Sequence, residues 1–305
     1  MHSKNLKGNL ILLLTAFIWG LSFIAQSKGV EQISPIAFNG IRCLLGAIVL
    51  IPVIAILDNG KKKKGVAVQG FNKTLIKGGV ICGILLCAAT TLQTAGMIYT
   101  SPGKSGFITA MYMILVPIIG LFFGKKPRFI IIISVAVAVC GMYLMCIEPG
   151  FSINNGDILT AICSLIFAFH IIAIDHFSPK VDGVKLAFTQ FFVCGLINII
   201  WMLFDEIPKP ENVYNCMTSI AYSGVMSCGV AYTLQIVGQK YTDPTSASII
   251  MSLESVFATL TTVILISLGW ELTGGALSIK EIVGCILMFV AIILVQLPEK
   301  SRKLS

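Results

Sequence analysis

Charged side chains are scarce in this sequence. Aspartate, glutamate, lysine and arginine make up 12% of its 305 residues, and 56% are hydrophobic, whereas a soluble domain carries about 25% charged residues. The mean hydropathy is +0.91. A soluble core cannot bury so much apolar sequence, so the scarcity of charge excludes an ordinary soluble domain and indicates a protein that lies in a bilayer.

Motifs that bind metals or nucleotides are also missing. The ten cysteines include no C-x-x-C pair and no histidine at metal-ligand spacing. No H-E-x-x-H occurs, and residues 60–65 lack the Lys-Ser/Thr that ends a phosphate-binding loop. We therefore expect no metal, no cofactor and no ATP-binding site, and we read the cysteines as small apolar packing residues.

One weak catalytic pattern remains. His170 and Asp175 match the H-x(4)-D pattern of acyltransferases. Five residues turn a helix by about 500°, which leaves the two side chains roughly 140° apart, and general-base chemistry requires hydrogen-bond contact. A membrane-embedded acyltransferase-like enzyme is therefore the least favoured alternative, and we predict that the protein is not an enzyme.

Long apolar runs dominate the sequence, each near the roughly 20 residues that a spanning helix needs. Backbone groups in lipid must bond within their own segment, and the runs lack the alternation of barrel strands. The sequence therefore predicts an all-α membrane protein with ten transmembrane helices, at 10–27, 34–57, 78–99, 103–123, 129–147, 157–174, 186–204, 217–239, 245–268 and 278–297.

The first run also resembles a signal peptide. Lys4 and Lys7 precede it, and Ala25-Gln26-Ser27 resembles a cleavage site. Because the repeat described below gives this run a counterpart later in the chain, we favour a retained first helix.

Basic residues gather in alternate loops. If the N-terminus is cytoplasmic, most of the 22 lysines and arginines fall on the cytoplasmic side. This bias predicts a multi-pass protein of the plasma membrane with both termini, including the tail 299–305, in the cytoplasm. The net charge of +8 then reflects topology and not a nucleic-acid partner. The run Lys61–Lys64 anchors the topology or binds anionic headgroups.

An internal repeat divides the chain into two units. TLQTAGMIYTSP at 91–102 and TLQIVGQKYTDP at 233–244 share seven of twelve residues at a shift of 142. We predict two five-helix repeats, at 6–148 and 154–298. Since five is odd, the second unit must insert with inverted orientation, an arrangement typical of secondary transporters. A purely structural duplication is the alternative.

Four short motifs occur in a recognisable order: WGLSF at 19–23, FNGIR at 38–42, QTAGMIYTSP at 93–102 with its second-half copy, and SLESVFA at 252–258. Together they resemble the drug/metabolite transporter superfamily, with two EamA-type domains over residues 6–297. The resemblance implies a secondary transporter, commonly an exporter of amino acids or other small metabolites, with a central cavity lined by both halves. Ser255 stands where the family often has proline, which leaves the local helix shape open.

Glu254 is a charged residue inside a predicted span. It lies about 15 Å into span nine, where a charge costs about 2.5–3.5 kcal/mol. It is either a protonatable cavity group, which couples the substrate to protons or pairs with a cationic substrate, or a carboxyl that bonds a neighbouring helix. The repeat places Tyr112 at the equivalent position, so we place the cavity centre at this pair.

Arg42 in span two has two interpretations. It binds an anionic substrate group such as a carboxylate, or it bonds backbone carbonyls between the halves. We favour the structural interpretation, because the resemblance places span two toward the periphery. Asn39, on the same span, is a minor candidate.

Further cavity candidates come from polar and aromatic residues within spans. Trp19 and Phe167 are repeat-related aromatics near mid-depth, whereas lipid-facing aromatics favour the interfaces. Gln93 and Gln235 offer repeat-related amides, which alternatively join helices. Ser22 and Tyr232 are minor candidates.

Three prolines are candidate hinges. Pro102 and Pro244 fall where spans four and nine begin, a position that tolerates the missing N–H. Pro117 lies inside span four and should kink it, unless it serves only packing.

The sequence as a whole predicts a secondary active exporter of a small polar metabolite such as an amino acid, working by alternating access. Its partners are the substrate, the bilayer and protons as candidate coupling ions, and it acts as a monomer or homodimer. The rivals are an uncoupled facilitator, and a scaffold or sensor.

Overall fold

The helices account for most of the chain. The structure, a computed structural model, describes residues 2–124, 128–146, 153–269 and 278–297, and these contain helices but no strand. The helices are α1 (His2–Val30), α2 (Pro35–Lys63), α3 (Lys73–Gly96), α4 (Pro102–Ala110), α5 (Tyr112–Phe122), α6 (Phe129–Cys146), α7 (Asn155–Phe177), α8 (Gly183–Phe204), α9 (Pro210–Asn215), α10 (Met217–Ala221), α11 (Thr233–Gln239), α12 (Pro244–Met251), α13 (Glu254–Ser267) and α14 (Ile279–Gln296), with a π-helical stretch, Tyr222–Tyr232, between α10 and α11.

Eight helical spans in the described ranges are long and apolar enough to cross a bilayer. Two further apolar helices, within α6 and α14, are shorter. The all-helical membrane architecture is therefore confirmed, whereas the predicted count of ten spans remains a prediction. The eight spans are Leu6–Val30, Pro35–Lys63, Lys73–Gly96, Pro102–Phe122, Asn155–Phe177, Gly183–Phe204, Met217–Gln239 and Pro244–Ser267.

Most long helices begin at a residue whose side chain caps the first turn. A serine, asparagine or aspartate oxygen accepts a backbone N–H that has no partner within the helix. At Asn154 the cap is reciprocal, because the Asp157 carboxylate also accepts the Asn154 backbone N–H. The capping residues are Ser34, Asn72, Ser101, Asn154, Asp182 and Asp243.

Spans four and nine each contain a short interruption of the α-helical hydrogen bonding, at residues that keep helical φ and ψ, where the sequence suggested regular helices. The first is interrupted at Met111, between α4 and α5, and the second at Ser252 and Leu253, between α12 and α13. Pro117 lies within α5, but the second span breaks at the equivalent place without a proline. There the Ser252 and Ser255 hydroxyls donate to carbonyls of the preceding turn, a contact that bends helices. Tyr112 and Glu254 each begin the segment after a break.

The third span of the second half differs from its first-half counterpart. Residues Tyr222–Tyr232 form a π-helical stretch, whereas α3 is a regular α-helix. The π stretch packs closely against α2. An alanine in place of Gly46 in α2 would bring its Cβ within 2.6 Å of the Cβ of Cys228 in the π stretch, which is closer than real Cβ atoms approach. π-helical turns occur frequently at functional sites.

Contacts between the two halves are symmetric. Helix α1 packs on the third and fourth spans of the second half, through the π stretch, α11, α12 and α13. Helix α7 likewise packs on α3, α4 and α5 of the first half. The pairs α2 with α8, α6 with α14, α3 with α8, and α2 with the π stretch also join the two halves. Each half therefore contributes its first span to the core of the other.

Helices α3 and α7 approach through two glycines. A Cβ at Gly156 would lie 2.5 Å from the Gly96 carbonyl oxygen, and a Cβ at Gly96 would lie 2.8 Å from the Gly156 carbonyl oxygen. Real Cβ atoms do not approach a backbone atom so closely, so a side chain at either position must separate the two helices.

We expect Gly156→Ala to lower stability by about 1–3 kcal/mol, because it overpacks a backbone contact. Gly60→Ala is the matched control, since a Cβ at Gly60 meets nothing within 4 Å and both glycines are helical. Thermal unfolding of the purified protein in detergent measures the difference. An equal midpoint for the two variants would show that α3 and α7 do not meet at this contact.

Candidate functional site

A cavity lies between the two halves. Its interior volume is about 20 Å³, which is room for about one water molecule. Side chains from both halves line it: Trp19, Phe23, Gln26, Arg42, Gln93, Thr109, Tyr112, Phe167, Ile171, Ser227, Tyr232, Gln235 and Glu254.

Glu254 and Tyr112 bond to each other in this cavity. The Tyr112 hydroxyl donates to Glu254 Oε1 over 2.9 Å, across a separation of 142 residues. Only 4% of Glu254 and 3% of Tyr112 is exposed. Each of the two residues is the first of the helical segment that follows an interruption. The pair can therefore respond to a ligand or proton that competes for the carboxyl.

Amide side chains surround this pair. Gln93 Nε2 donates to Thr109 Oγ1 over 3.1 Å, and Gln26 Nε2 donates to Ser22 Oγ over 3.3 Å. The Oε1 atoms of Gln26 and Gln235 are buried without a hydrogen-bond partner. A buried polar group without a partner costs about 1–3 kcal/mol. These oxygens are therefore available to a ligand.

Aromatic rings form one wall of the cavity. The rings of Trp19 and Tyr232 lie 4.5 Å apart, and both residues are buried. Phe167 contacts the ring of His170, which in turn packs edge-on against Tyr232. Trp19 Nε1 is buried without an acceptor, so this wall presents one free donor as well as apolar surface.

Arg42 also lines the cavity. It is 2% exposed and is one of the lining side chains, and the structural role that the sequence favoured stays a prediction. Its Nε donates to Asn39 Oδ1 over 2.7 Å, and its guanidinium lies 5.5 Å from the centre of the Phe38 ring. Among the described residues, no carboxylate forms an ion pair with Arg42.

The structure brings together most of the side chains that the sequence singled out. These are Glu254, Tyr112, Trp19, Phe167, Gln93, Gln235, Tyr232 and Arg42. Two others are buried behind the lining. Ser22 accepts from Gln26, and Asn39 bonds the Thr90 carbonyl and the Thr94 hydroxyl, thereby joining α2 to α3.

The three candidate hinge prolines lie away from the lining. Pro102 and Pro244 occupy the first turns of α4 and α12. Pro117 lies within α5, six residues after the break at Met111.

Five lining residues were not among the predicted ones: Phe23, Gln26, Thr109, Ile171 and Ser227. The sequence could have indicated Gln26, because Trp19, Phe23 and Gln26 share one face of a helix. Gln26 also lies in the segment that resembles a signal-peptide cleavage site, and it was not named as a cavity residue. Thr109 precedes Tyr112 by one turn. Ser227 carried no signal, since the sequence does not reveal the π stretch that orients it.

His170 does not pair with Asp175. The two residues lie on the continuous helix α7, where the His170 ring is buried and its Nε2 lies 3.1 Å from Gln190 Oε1. Its Nδ1 has no partner. The acyltransferase-like pattern therefore has no catalytic geometry here.

Ion pairs join the two halves at opposite ends of α7. Near its start, Lys104 Nζ lies 2.7 Å from Asp157 Oδ2. Beyond its end, Lys61 pairs with Asp182, and Lys185 lies 2.7 Å from Asp58. Ion pairs therefore join the first half to the second at both ends of α7.

Asp182 both caps α8 and forms one of these pairs. Burial alone would raise the pKa of Asp182, but the Lys61 ammonium and the backbone N–H groups of Val184 and Lys185 together hold that pKa below its ordinary value. A carboxyl with a lowered native pKa stabilises the fold above its unfolded pKa, near 3.9, and this contribution disappears as the pH falls through the native pKa.

Comparison with known proteins identifies the family. The model of the EamA-like transporter family matches residues 6–147 and again 154–297. The chain belongs to the EamA-like transporter family. It is thus a multi-pass membrane protein, and transport is the activity that this family supports.

Two relatives of this EamA-like protein carry similar names. A protein of Archaeoglobus fulgidus named "Uncharacterized transporter" is 30% identical over 301 residues, covering 96% of this chain and 87% of the relative. The "Uncharacterized transporter YoaV" of Bacillus subtilis is 20% identical over 299 residues, covering 96% and 97%.

A solved structure, described as "Crystal structure of protein", shares the fold of this EamA-like protein. The two structures superimpose with a TM-score of 0.70 at 16% sequence identity. The match covers 94% of this chain and 96% of the chain in the solved structure. At this level of identity, the similarity concerns the fold alone.

We expect Asp182→Asn to lower the free energy of unfolding by about 0.5–1 kcal/mol, because it keeps the α8 cap but loses the ion pair. Asp182→Ala should lower it by about 1–2 kcal/mol, because it loses both the cap and the ion pair. The difference between wild type and Asp182→Asn should shrink as the pH falls below about 4. Thermal unfolding across pH measures it, with the exposed Asp205→Asn as control. A difference that grows toward low pH would contradict this assignment.

Proposed function

We propose that this EamA-like protein is a secondary active exporter of a small polar metabolite and works by alternating access. The observation that carries the proposal is the buried Tyr112–Glu254 hydrogen bond, formed by repeat-related residues within a cavity that both halves line. The interruptions at Tyr112 and Glu254 support the proposal, because many transporters build their substrate site from discontinuous helices.

The interface between the halves supports alternating access. The first span of each half packs on the other half's third and fourth spans, so exchanging the conformations of the two halves opens the cavity to the opposite side. We propose that the units at 6–148 and 154–298 have inverted orientation and that the ion pairs at the two ends of α7 break alternately. A single chain lines the whole cavity, so the monomer is the proposed transport unit.

Glu254 is the proposed coupling residue. Its described polar partner is the hydroxyl of Tyr112, which can bond a neutral or an ionised carboxyl. Binding of a proton or of a cationic substrate group to the same carboxyl excludes the other, and this competition couples an outward flow of substrate to an inward flow of protons. The proton gradient then supplies the energy.

The inverted arrangement predicts that residues 28–33 and 176–184 lie on opposite sides of the membrane. We expect Gln32→Cys to react with a membrane-impermeant maleimide in intact cells, and Lys180→Cys to react only after permeabilisation. Both native side chains are exposed. The unsubstituted protein reports the background from native thiols. Labelling of both positions from one side would refute inverted halves.

Glu254→Gln should reduce concentrative transport roughly tenfold or more, since losing one charged contact of about 1.4 kcal/mol has that effect. The assay follows a mixture of radiolabelled amino acids in proteoliposomes with and without a pH gradient. The exposed Glu211→Gln is the matched control. Wild-type accumulation that never exceeds equality would indicate a facilitator, and normal transport by Glu254→Gln would remove this residue from the mechanism.

A further inference from the structure

Four buried, free cysteines lie in a row where the two halves meet. Cys43 in α2 and Cys87 in α3 belong to the first half, whereas Cys194 in α8 and Cys228 in the π stretch belong to the second. The Sγ atoms of Cys43 and Cys194 lie 3.4 Å apart, across a separation of 151 residues. Cys43 also contacts Cys228, and Cys194 also contacts Cys87. Each contact along this thiol row therefore joins one half to the other.

The helices that carry the thiol row are packed closely. A Cβ at Gly195, the residue after Cys194, would lie 3.0 Å from the backbone nitrogen of Leu44, the residue after Cys43. A disulfide requires Cβ atoms about 3.5–4.5 Å apart and brings the two sulfurs to about 2.0 Å. Because α2 and α8 approach so closely, the thiols between them are within reach of such a bond.

One amide group prepares two of these thiols. Asn198 Nδ2 donates to Cys87 Sγ over 3.1 Å and lies 3.7 Å from Cys194 Sγ. The Thr91 hydroxyl donates to Asn198 Oδ1 over 3.0 Å, and this contact orients the amide with its N–H groups toward the sulfurs. A hydrogen bond donated to sulfur stabilises the thiolate, which is the form that attacks an oxidant. Cys87 is therefore the attacking thiol, and Cys194 is its neighbour across the interface.

Access to the thiol row is narrow. Cys87 is 6% exposed, and the other three cysteines are at most 1% exposed. On the other side of the row, Arg42 and Ser227 precede Cys43 and Cys228 in the chain and line the cavity, which has room for about one water molecule. An oxidant that reaches these thiols must therefore be small and uncharged, as hydrogen peroxide is.

We propose that the thiol row is an oxidation site at which hydrogen peroxide joins Cys87 and Cys194 in a disulfide. The Cys87 thiolate attacks one peroxide oxygen, the O–O bond breaks, and the departing hydroxide takes up the Cys87 proton, which gives water and a sulfenic acid. The Cys194 thiol then attacks the Cys87 sulfur, the S–O bond breaks, and the hydroxyl leaves with the Cys194 proton as a second water. Two thiols are oxidised, and one peroxide is reduced.

The neighbouring thiol can take over the bond. Attack of the Cys43 thiol on Cys194 Sγ releases the Cys87 thiol and leaves a disulfide between Cys43 and Cys194, with no further oxidant. Both bonds contain Cys194, and both link the first half to the second.

The effect of this bond on transport rests on the proposed function. Alternating access requires the two halves to move against each other, and a covalent bond between α8 and α3 or α2 restrains that movement. Oxidation should therefore stop transport in proportion to the fraction of molecules that carry the bond, and a reductant should restore it.

Peptide mapping tests the site directly. The purified full-length protein is treated with hydrogen peroxide, its remaining thiols are blocked with N-ethylmaleimide, and mass spectrometry follows proteolysis without reductant. We expect a linked pair of peptides, lighter by two hydrogen atoms, in which Cys194 is joined to Cys87 or Cys43, and dithiothreitol should separate it.

Variants assign the thiols. Cys194→Ser should yield no linked pair, whereas Cys43→Ser should retain the bond between Cys87 and Cys194. Cys82→Ser is the matched control, because Cys82 is also a buried cysteine of α3 but lies outside the thiol row, and it should form the bond as wild type does.

The outcomes separate this site from the proposed function, because peptide mapping needs no substrate. Thiols that all remain open to alkylation after peroxide treatment, or that become sulfinic acids without a linked pair, would overturn the site. A bond between Cys43 and Cys228 in Cys194→Ser would overturn the assigned order of attack. Transport that is unchanged after complete bond formation would refute the restraint on movement, whereas loss of transport in wild type and Cys82→Ser but not in Cys194→Ser would support it.

Discussion

A polar side chain in the interior of a bilayer has no water to bond, so it must bond another part of the protein or face a cavity. This constraint organises the centre of the molecule. The Glu254 carboxyl is bonded by the Tyr112 hydroxyl, Arg42 is held by Asn39, and the amides of Gln93 and Gln26 bond neighbouring hydroxyls. Among the described residues, Trp19 Nε1, Gln26 Oε1 and Gln235 Oε1 are buried without a partner and belong to side chains that line the cavity.

The interruptions in spans four and nine also keep their backbone groups bonded. The Met111 N–H donates to the Ile108 carbonyl and the Ser255 N–H to the Ser252 carbonyl, so each interruption tightens one turn of the helix. Both breaks occur at repeat-related positions, yet different residues accompany them: Pro117 in the first half, and the serine hydroxyls of Ser252 and Ser255 in the second. The geometry is therefore a property of the repeat, and each half reaches it with its own side chains.

The two halves have the same arrangement of helices but differ in local structure. Their contacts exchange symmetrically, but the third span is a regular helix in the first half and contains a π stretch in the second. The cavity is consequently asymmetric, with Glu254 opposite Tyr112 and Arg42 in the first half only. A frame with symmetric contacts between its halves thus encloses a site whose charged groups are arranged asymmetrically.

The sequence by itself determined the helical membrane architecture, the two repeat units and the equivalence of Tyr112 and Glu254 in the repeat, whereas their hydrogen bond is seen only in the structure. These features depend on the length of the hydrophobic runs and on a repeated sequence pattern, and both can be recognised from the order of the residues alone. Only the tertiary structure decided that Arg42 faces the cavity, that Gln26 and Ser227 line it, and that spans four and nine are interrupted. The physical reason is that burial inside a bundle depends on which face of a helix meets another helix, and a uniformly apolar span carries too little amphipathic pattern to reveal that face.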